Sequence, residues 1–165
     1  MHQDVMFAGF GGQGIMLIGQ MVAYAGLAEG KQVSWLPSYG PEMRGGTAYC
    51  TVVVSDQPIG SPVFANPTAC VVMNRPSLEK FAPKVKKGGL LVVNSSLIPI
   101  TSERDDISEL LVPCNELAIE LGTGKAANMV VLGAFVGATN VVTMDSLDDL
   151  VEFQFLKKFV GTGKN

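Results

Sequence analysis

The stretch FAGFGGQGIMLIGQ, residues 7–20, constrains the fold of this chain more than any other feature. Gly9, Gly11 and Gly14 have the spacing G-x-G-x-x-G, directly after one apolar run and directly before another. This spacing is typical of the tight turn between a strand and a helix in a dinucleotide-binding unit, where the helix N-terminus faces a phosphate. We therefore expect a strand, a turn and a helix here, and ask whether the turn binds a nucleotide.

The expected second strand lacks the acidic residue that a dinucleotide site requires. Rossmann sites place an Asp or Glu about 20 residues after the glycines, at the end of the second strand, where it binds the ribose hydroxyls. Here that strand is QVSWLPSYG, and no Asp, Glu or Arg lies at its end; Glu42 comes later, in the next loop. Close packing of the first helix on the sheet is therefore the stronger interpretation of the glycines.

Strands and helices alternate along the rest of the chain. Strands are predicted at residues 4–9, 32–36, 47–55, 68–74, 88–96 and 109–114, and helices at residues 12–29, 75–87, 115–122, 126–139 and 146–159. Gly30 is expected to end the first helix and Ser77 to cap the second. Several strands are near-continuous apolar runs, which are typical of strands covered on both faces. The sequence predicts one α/β domain over residues 1–165, a three-layer α/β/α sandwich around a mostly parallel sheet of about six strands.

Composition excludes several classes of function. The net charge of −3 gives no basic patch for nucleic acid or an anionic membrane. Residues 5–28 carry no charge, but Asp4 stands where a signal peptide would have Lys or Arg, and the glycines interrupt the apolar run. We therefore expect no secretion and no membrane span. Charged residues are only 16% of the chain, which indicates that a partner covers part of its surface.

The sequence contains no recognisable catalytic or metal-binding constellation. Cys50, Cys70 and Cys114 are scattered, with no C-x-x-C pair for zinc or an iron–sulfur cluster. Such a set fits reduced thiols in a cytoplasm. The only histidine is His2, at a terminus that we expect to fray, which excludes a histidine-centred triad. We predict no catalytic residue and no metal site on this chain.

A loop rich in proline and glycine, PSYGPEMRGG, follows the second strand. It leaves the carboxyl end of a strand, so we expect it at the sheet edge that carries the glycine turn, where open α/β sheets bind ligands and partners. The residues alone leave two interpretations equally open: an exposed connection with a surface ion pair, or a partner-binding loop. The second would use Tyr39, Gly40, Pro41, Glu42, Arg44, Gly45 and Gly46.

Three segments in order resemble the gamma subunit of the 2-oxoacid:ferredoxin (acceptor) oxidoreductases. They are GFGGQGIMLIGQMVAYAG, PSYGPEMRGGTAYCTVVVSDQPIGSPV and AANMVVLGA, and the resemblance runs from Gly9 to about Phe155. The glycine turn alone is a weak signal, but together with Y-G-P-E-x-R-G-G it is highly specific. YGPEMRGGTAYC looks most like the 2-oxoglutarate branch, although pyruvate and branched-chain enzymes share the core motif. Gamma chains usually continue through a further helix, so the resemblance leaves the C-terminal contacts open.

The resemblance implies a cytoplasmic enzyme that converts a 2-oxoacid and coenzyme A to acyl-CoA and CO2 and passes the electrons to ferredoxin. Thiamine diphosphate, Mg and iron–sulfur clusters belong to the whole enzyme, and the thiamine diphosphate lies on the alpha and beta subunits. Alpha, beta and delta-type subunits are the implied partners, with ferredoxin reached through the complex. We expect no activity from this chain alone, and the isolated chain could instead associate with itself.

The resemblance also changes the interpretation of the glycine turn. We expect the turn to shape the first helix and the loop from Tyr39 to Gly46 into an edge that contacts the catalytic subunits, with Arg44 as the anchor. A second option is that Gly11, Gly12, Gln13 and Gly14 face a phosphate of coenzyme A. A stand-alone Rossmann-like nucleotide-binding protein, or an interaction protein with no enzyme role, is the alternative outside this family.

Overall fold

The computed structural model describes residues 1–38 and 47–152, and six strands in them form one sheet with the order β2-β3-β1-β4-β5-β6. The strands are β1 (His2–Gly9), β2 (Gln32–Ser38), β3 (Ala48–Ser55), β4 (Ala69–Val72), β5 (Leu90–Asn94) and β6 (Ser108–Val112). The helices are α1 (Ile15–Ala28), α2 (Arg75–Phe81), α3 (Cys114–Glu120) and α4 (Ala127–Thr139). Residues 144–152 are also helical and are called the 144–152 helix below.

Five of the six described strands point in the same direction. β1, β4, β5 and β6 pair in parallel in that order, whereas β3 runs antiparallel to both β1 and β2. β2 and β3 are joined by residues 39–47, a link too short for the crossover of about a dozen residues that a parallel pair needs. The prediction of a mostly parallel sheet of about six strands is therefore confirmed, with β3 as the reversed strand.

Helices cover both faces of the sheet, as the predicted three-layer arrangement requires. On the first face lie α1, α3, α4 and the 144–152 helix, and the ring of Phe7 on β1 meets Phe135 on α4 edge to face, with centroids 5.4 Å apart. On the second face α2 packs on the alternate strand residues. The second core is built from Met6, Ala8, Cys70, Val72, Leu78, Phe81, Leu91, Val93 and Ile98.

The helix boundaries correct three details of the sequence analysis. α1 begins at Ile15 rather than near Gly12, because Gly11–Gln13 form a separate 3-10 turn and Gly14 is left-handed with a φ of 71°. The cap of α2 is Asn74, not Ser77: the Asn74 side chain accepts a hydrogen bond from the Ser77 N–H at 2.9 Å. α2 ends at Phe81 because Pro83 cannot donate the N–H that the next α-helical turn needs.

Two further boundaries bear on the predictions. Gly30 follows α1 with a φ of 77°, so the expected glycine stop is confirmed. The last predicted helix, residues 146–159, is present as the 144–152 helix, and residues 153–159 lie outside the described part of the chain.

Candidate functional site

The glycine turn joins β1 to α1 at the carboxyl edge of the parallel strands. Gly14 ends the turn in the left-handed conformation, which side chains disfavour. The carboxamide of Asn128, near the start of α4, lies so close to Gly14 that a Cβ there would overlap it. Gly14 is therefore required both by its backbone conformation and by the approach of α4.

Gln13 fastens the turn to the neighbouring strand. Its side-chain Oε1 accepts a hydrogen bond from the Phe10 N–H at 2.7 Å, and its Nε2 donates to the carbonyl oxygen of Met73, after β4, at 3.2 Å. A Cβ on Gly9 would lie 2.6 Å from the same Oε1, so Gly9 makes room for this amide. The Gln13 side chain thus serves the fold, and its contact with a ligand or partner stays a prediction.

Gly11 and Gly12 differ from the other glycines of the turn. Both are exposed, neither has a positive φ, and a Cβ on either would have no heavy atom within 4 Å. Nothing in the described part of the chain therefore requires glycine at these two positions. They leave a bare backbone that a ligand or another protein can approach closely.

A cleft of about 490 Å³ opens beside these glycines. Its lining residues are mostly uncharged and polar or small, with a single lysine: Gly12, Gln13, Gly14, Met73, Asn115, Gly124, Lys125, Ala127 and Asn128. α1 also begins without a side-chain cap, so the N–H groups of its first turn are left to water, a ligand or a partner. The cleft therefore offers hydrogen-bond donors and one positive charge, and its lining holds no carboxylate or imidazole for acid–base chemistry.

A network of polar side chains holds Asn115 at the cleft. Asn94, fully buried at the end of β5, donates from Nδ2 to the Asn115 Oδ1 at 2.9 Å and accepts from the Cys114 N–H at 3.2 Å. The Ser96 hydroxyl accepts from the Asn115 N–H at 3.0 Å and donates to Glu116 at 2.6 Å. These bonds fix the start of α3 against β5.

The sequence analysis placed the glycine turn at this site and missed Asn115, Lys125 and Asn128. The GTGK segment, residues 122–125, lacks the earlier glycine of a P-loop, and Asn115 and Asn128 belong to no ligand-binding motif. These three residues meet the turn because α3 and α4 begin at the same sheet edge. The one sequence feature that could have indicated these residues is their polar character next to apolar helices. Their positions around one cleft depend on how the helices pack, which the sequence does not show directly.

The three thiols are buried away from this cleft. Burial raises the pKa of Cys50, Cys70 and Cys114 to about 12, so all three are neutral at physiological pH. In residues 1–38 and 47–152, no group of three or more His, Cys, Asp or Glu residues is placed to hold a metal ion.

The predicted partner loop, from Tyr39 to Gly46, lies outside the described residues, so its contacts stay a prediction. The strand ends on either side of it are described. Ser38 pairs with Tyr49, and Gly9 pairs with Ala48 on the other side of the same strand. The loop therefore leaves β2 at the sheet edge that carries the glycine turn.

No helix within the described ranges is both long and apolar enough to span a membrane.

Comparison with known proteins gives a consistent result. The family model for pyruvate ferredoxin/flavodoxin oxidoreductase matches residues 4–164. The ketoisovalerate oxidoreductase subunit VorA of Methanothermobacter marburgensis is 40% identical over 93% of this chain, and the chain spans 32% of VorA. The 2-oxoglutarate synthase subunit KorC of Methanocaldococcus jannaschii is 32% identical over 92% of this chain and 82% of KorC.

Among solved structures, the gamma subunit of a keto/oxoacid ferredoxin oxidoreductase from Geobacter sulfurreducens is similar to this chain. The TM-score is 0.82 at 29% sequence identity, and the match covers 92% of this chain and 83% of that subunit. The resemblance inferred from the glycine turn and the loop after β2 is therefore confirmed.

Proposed function

From membership of the pyruvate ferredoxin/flavodoxin oxidoreductase family, to which this chain belongs, we propose that it acts as the gamma subunit of a 2-oxoacid:ferredoxin oxidoreductase. The whole enzyme would convert a 2-oxoacid and coenzyme A to acyl-CoA, CO2 and reduced ferredoxin. The observation that carries this proposal is the match over residues 4–164, nearly the full chain. The 2-oxoglutarate synthase subunit KorC, 82% of which is matched by this chain, is named as a subunit of a 2-oxoacid enzyme. This supports a subunit role for the chain.

The cofactors of such an enzyme would be held mainly by the partner subunits. An iron–sulfur cluster is bound by thiolates, usually four. Here there are three cysteines, all buried, with Cys70 on the opposite face of the sheet from Cys50 and Cys114. These residues do not fit a cluster. We assign the clusters, and the thiamine diphosphate with its Mg, to the alpha, beta and delta-type subunits.

Coenzyme A is the one group of the reaction that the cleft could contact directly. Phosphate oxygens accept hydrogen bonds from ammonium, amide and backbone N–H groups, and the lining residues Lys125, Asn115 and Asn128 carry such donors, with α1 beginning next to Gly14 at the edge of the cleft. When bound, coenzyme A supplies the thiol that accepts the acyl group. This chain would hold a phosphate or pantetheine segment in place. Contact of Gly11 and Gly12 with the backbone of a partner subunit is the other option.

Two substrates are candidates. We propose 2-oxoglutarate, because the motif from Tyr39 to Cys50 is most like that branch. A branched-chain 2-oxoacid is the second candidate, because the relative named for ketoisovalerate is 40% identical, against 32% for the relative named for 2-oxoglutarate. We assign the choice between these acids to the partner subunits, together with the thiamine diphosphate.

The test is purification of the tagged chain from the cells that produce it. We expect a thiamine diphosphate-binding subunit to co-purify, and the complex to reduce ferredoxin in the presence of coenzyme A and one of 2-oxoglutarate, ketoisovalerate or pyruvate. The acid with the highest kcat/KM identifies the substrate. If no thiamine diphosphate-binding subunit co-purifies, the subunit role is wrong and the interaction-protein alternative is favoured.

A further inference from the structure

Two helices of the first face, α1 and α4, lie side by side and run in the same direction. At their starts, Asn128 of α4 packs against Gly14. At their ends, Lys31 Nζ donates to the Val141 carbonyl oxygen at 2.8 Å, and the Thr143 N–H donates to Glu29 Oε1 at 3.0 Å. Contacts at both ends hold the pair in parallel along about 20 Å. Their outward-facing side is called the α1–α4 face below.

The α1–α4 face carries no charge. The 14 residues of α1 and the 13 residues of α4 include no Asp, Glu, Lys or Arg. Large apolar and aromatic side chains of α1 are nevertheless exposed: Leu17 by 39%, Tyr24 by 52% and Leu27 by 55%. They follow the spacing i, i+7 and i+10, so they form one stripe along the helix. On α4 the exposed positions are Gly137 and Ala138 at its end; Gly137 faces Met144 of the 144–152 helix, and Ala138 borders a cleft that also contains Lys86 and Lys87.

This pattern differs from an ordinary solvent-facing helix. Single exposed apolar residues are common and need no explanation. A surface helix, however, normally has a polar side opposite its buried side, and a helix that is apolar all round is normally buried. α2, on the other face of the sheet, shows the usual pattern, with Arg75, Glu79 and Lys80 within seven residues.

Acidic residues border this uncharged face. α3 packs against α4, and the 144–152 helix starts beside the last turn of α1. These two helical segments contain no Lys or Arg, and their exposed acids are Glu116, Glu120, Asp145, Asp148, Asp149 and Glu152. Within the described residues, the border of the apolar centre is therefore mostly acidic, with Lys125 before α4 and the half-buried Lys31 after α1 as the cations at its two ends.

We propose that the α1–α4 face docks against the separate polypeptide that carries the catalytic domains, an inference that rests on the proposed function. The complementary surface on that partner has an apolar centre and a rim of Lys and Arg. In VorA the region that matches this chain is only 32% of the polypeptide, so there the equivalent domain is continuous with about twice its own length of further protein. A second copy of this chain is a poorer occupant, because its mostly acidic border would face an identical border.

The experiment measures the dissociation constant between this chain and the remaining subunits of the purified enzyme. The variants are Tyr24→Lys and Leu27→Lys, each of which would bury an unpaired ammonium at the proposed contact. We expect the dissociation constant to rise about tenfold or more for each variant. Val63→Lys is the matched control, because Val63 is 71% exposed outside this face, and there we expect a change below about twofold.

Each other outcome has a defined meaning. If the wild-type chain does not bind the catalytic subunits at all, the proposed function fails. If the wild type binds and the α1 variants bind equally well, or Val63→Lys weakens binding as much as they do, this inference is wrong. It is also wrong if the isolated chain is a dimer that the α1 variants dissociate. A large drop in the melting temperature of the isolated variants would assign the face to residues 153–165 of the same chain instead.

Discussion

At the scale of single residues, the four glycines near the turn are glycines for different reasons. Gly9 makes room for the Gln13 amide, Gly14 adopts a left-handed conformation beside Asn128, and Gly11 and Gly12 face open space. Gly9 and Gly14 therefore contribute to the stability of the fold. Gly11 and Gly12 instead leave room for a ligand or partner to approach the turn. A substitution at each kind of position separates these roles.

Gly14→Ala should destabilise the isolated chain, whereas Gly12→Ala should not. An alanine at φ 71° costs about 1–3 kcal/mol of unfolding free energy, and overlap with Asn128 adds to that cost. Position 12 has neither constraint, so we expect a change within about 0.5 kcal/mol there. Urea unfolding, followed by the fluorescence of the single tryptophan, Trp35, measures both. Equal losses in the two variants would contradict this account of the turn.

The buried thiols make the fold sensitive to alkali. Their pKa is about 12 in the folded chain and about 8.5 when unfolded, so the unfolded state binds fewer protons between these values. Their contribution to stability is therefore fully present below about pH 8.5 and is lost as the pH rises toward 12. We expect the free energy of unfolding to decrease as the pH rises above about 8.5. The decrease should be less steep in the Cys70→Ala variant, which has one buried thiol fewer.

Thiol reactivity gives an independent measurement of the same burial. At pH 8 a thiol with a pKa near 12 is ionised in about one molecule in 10,000, and the thiolate is the reactive form. Ellman's reagent should therefore label none of the three cysteines rapidly in the native chain and all three in urea. Rapid labelling of one native thiol would show that its environment opens.

At this scale the sequence could indicate the turn but not the cleft. The spacing of Gly9, Gly11 and Gly14 is a local signal, because turn geometry depends on neighbouring residues. Asn115, Lys125 and Asn128 are more than 100 positions away from the turn, and only the packing of α3 and α4 brings them there. A single sequence carries no signal for such convergence.

At the scale of elements, α1 packs closely on the sheet through two glycines that are seven positions apart. A Cβ on Gly19 would lie 2.5 Å from Cys50 Sγ, and one on Gly26 would lie 2.7 Å from Val33 Cγ1. Both targets lie on the antiparallel pair β2 and β3. The absence of side chains at these two positions therefore sets the distance between α1 and this part of the sheet.

Gly19→Ala should lower the unfolding free energy by about 1–3 kcal/mol, because the added methyl overpacks a filled contact. Gly133→Ala on α4 is the matched control, since a Cβ there would meet nothing within 4 Å. Alanine is the better helix former by about 1 kcal/mol, so the control should be neutral or stabilising. Differential scanning calorimetry of the two variants compares them directly. A stabilised Gly19→Ala variant would show that α1 can shift outward at little cost.

The elements themselves were largely predictable, and the errors have local causes. Apolar runs and helical periodicity predicted all six strands and all five helices in the described ranges, the 144–152 helix included. The start of α1 was wrong because a 3-10 turn and a left-handed Gly14 precede it. The predicted end of α2 is wrong because Pro83 has no N–H to donate and therefore stops the helix at Phe81. The antiparallel direction of β3 follows from the short connection between β2 and β3. The length of this connection can be counted in the sequence, so the reversal was predictable.

At the scale of the whole molecule, charge is segregated. The α1–α4 face is uncharged, its borders are mostly acidic, and the cleft at the glycine turn contains a lysine. Such an arrangement suits a subunit that contributes surfaces rather than reacting groups. The family and the fold were predictable from the sequence motifs, whereas this distribution of charge required the positions of the helices.

The isolated chain should therefore show no coenzyme A-dependent oxidation of 2-oxoglutarate, ketoisovalerate or pyruvate. The physical reason is that the cleft offers donors for binding but lacks an acid or base, and the three thiols are buried. Addition of the catalytic subunits should restore ferredoxin reduction, measured by the bleaching of its visible absorbance. Turnover by the pure chain alone would contradict the assignment of the chemistry to the partner subunits.

The central position of β1 has a consequence for how the chain is made. β1 is translated before both of its partners, β3 and β4: Phe7 pairs with Cys50 on one side and Val71 on the other. During synthesis β1 therefore lacks its second neighbour until Val71 of β4, 64 positions after Phe7, has been translated. An apolar strand and an uncharged helix thus wait for part of the sheet, which makes them a natural substrate for chaperones during translation.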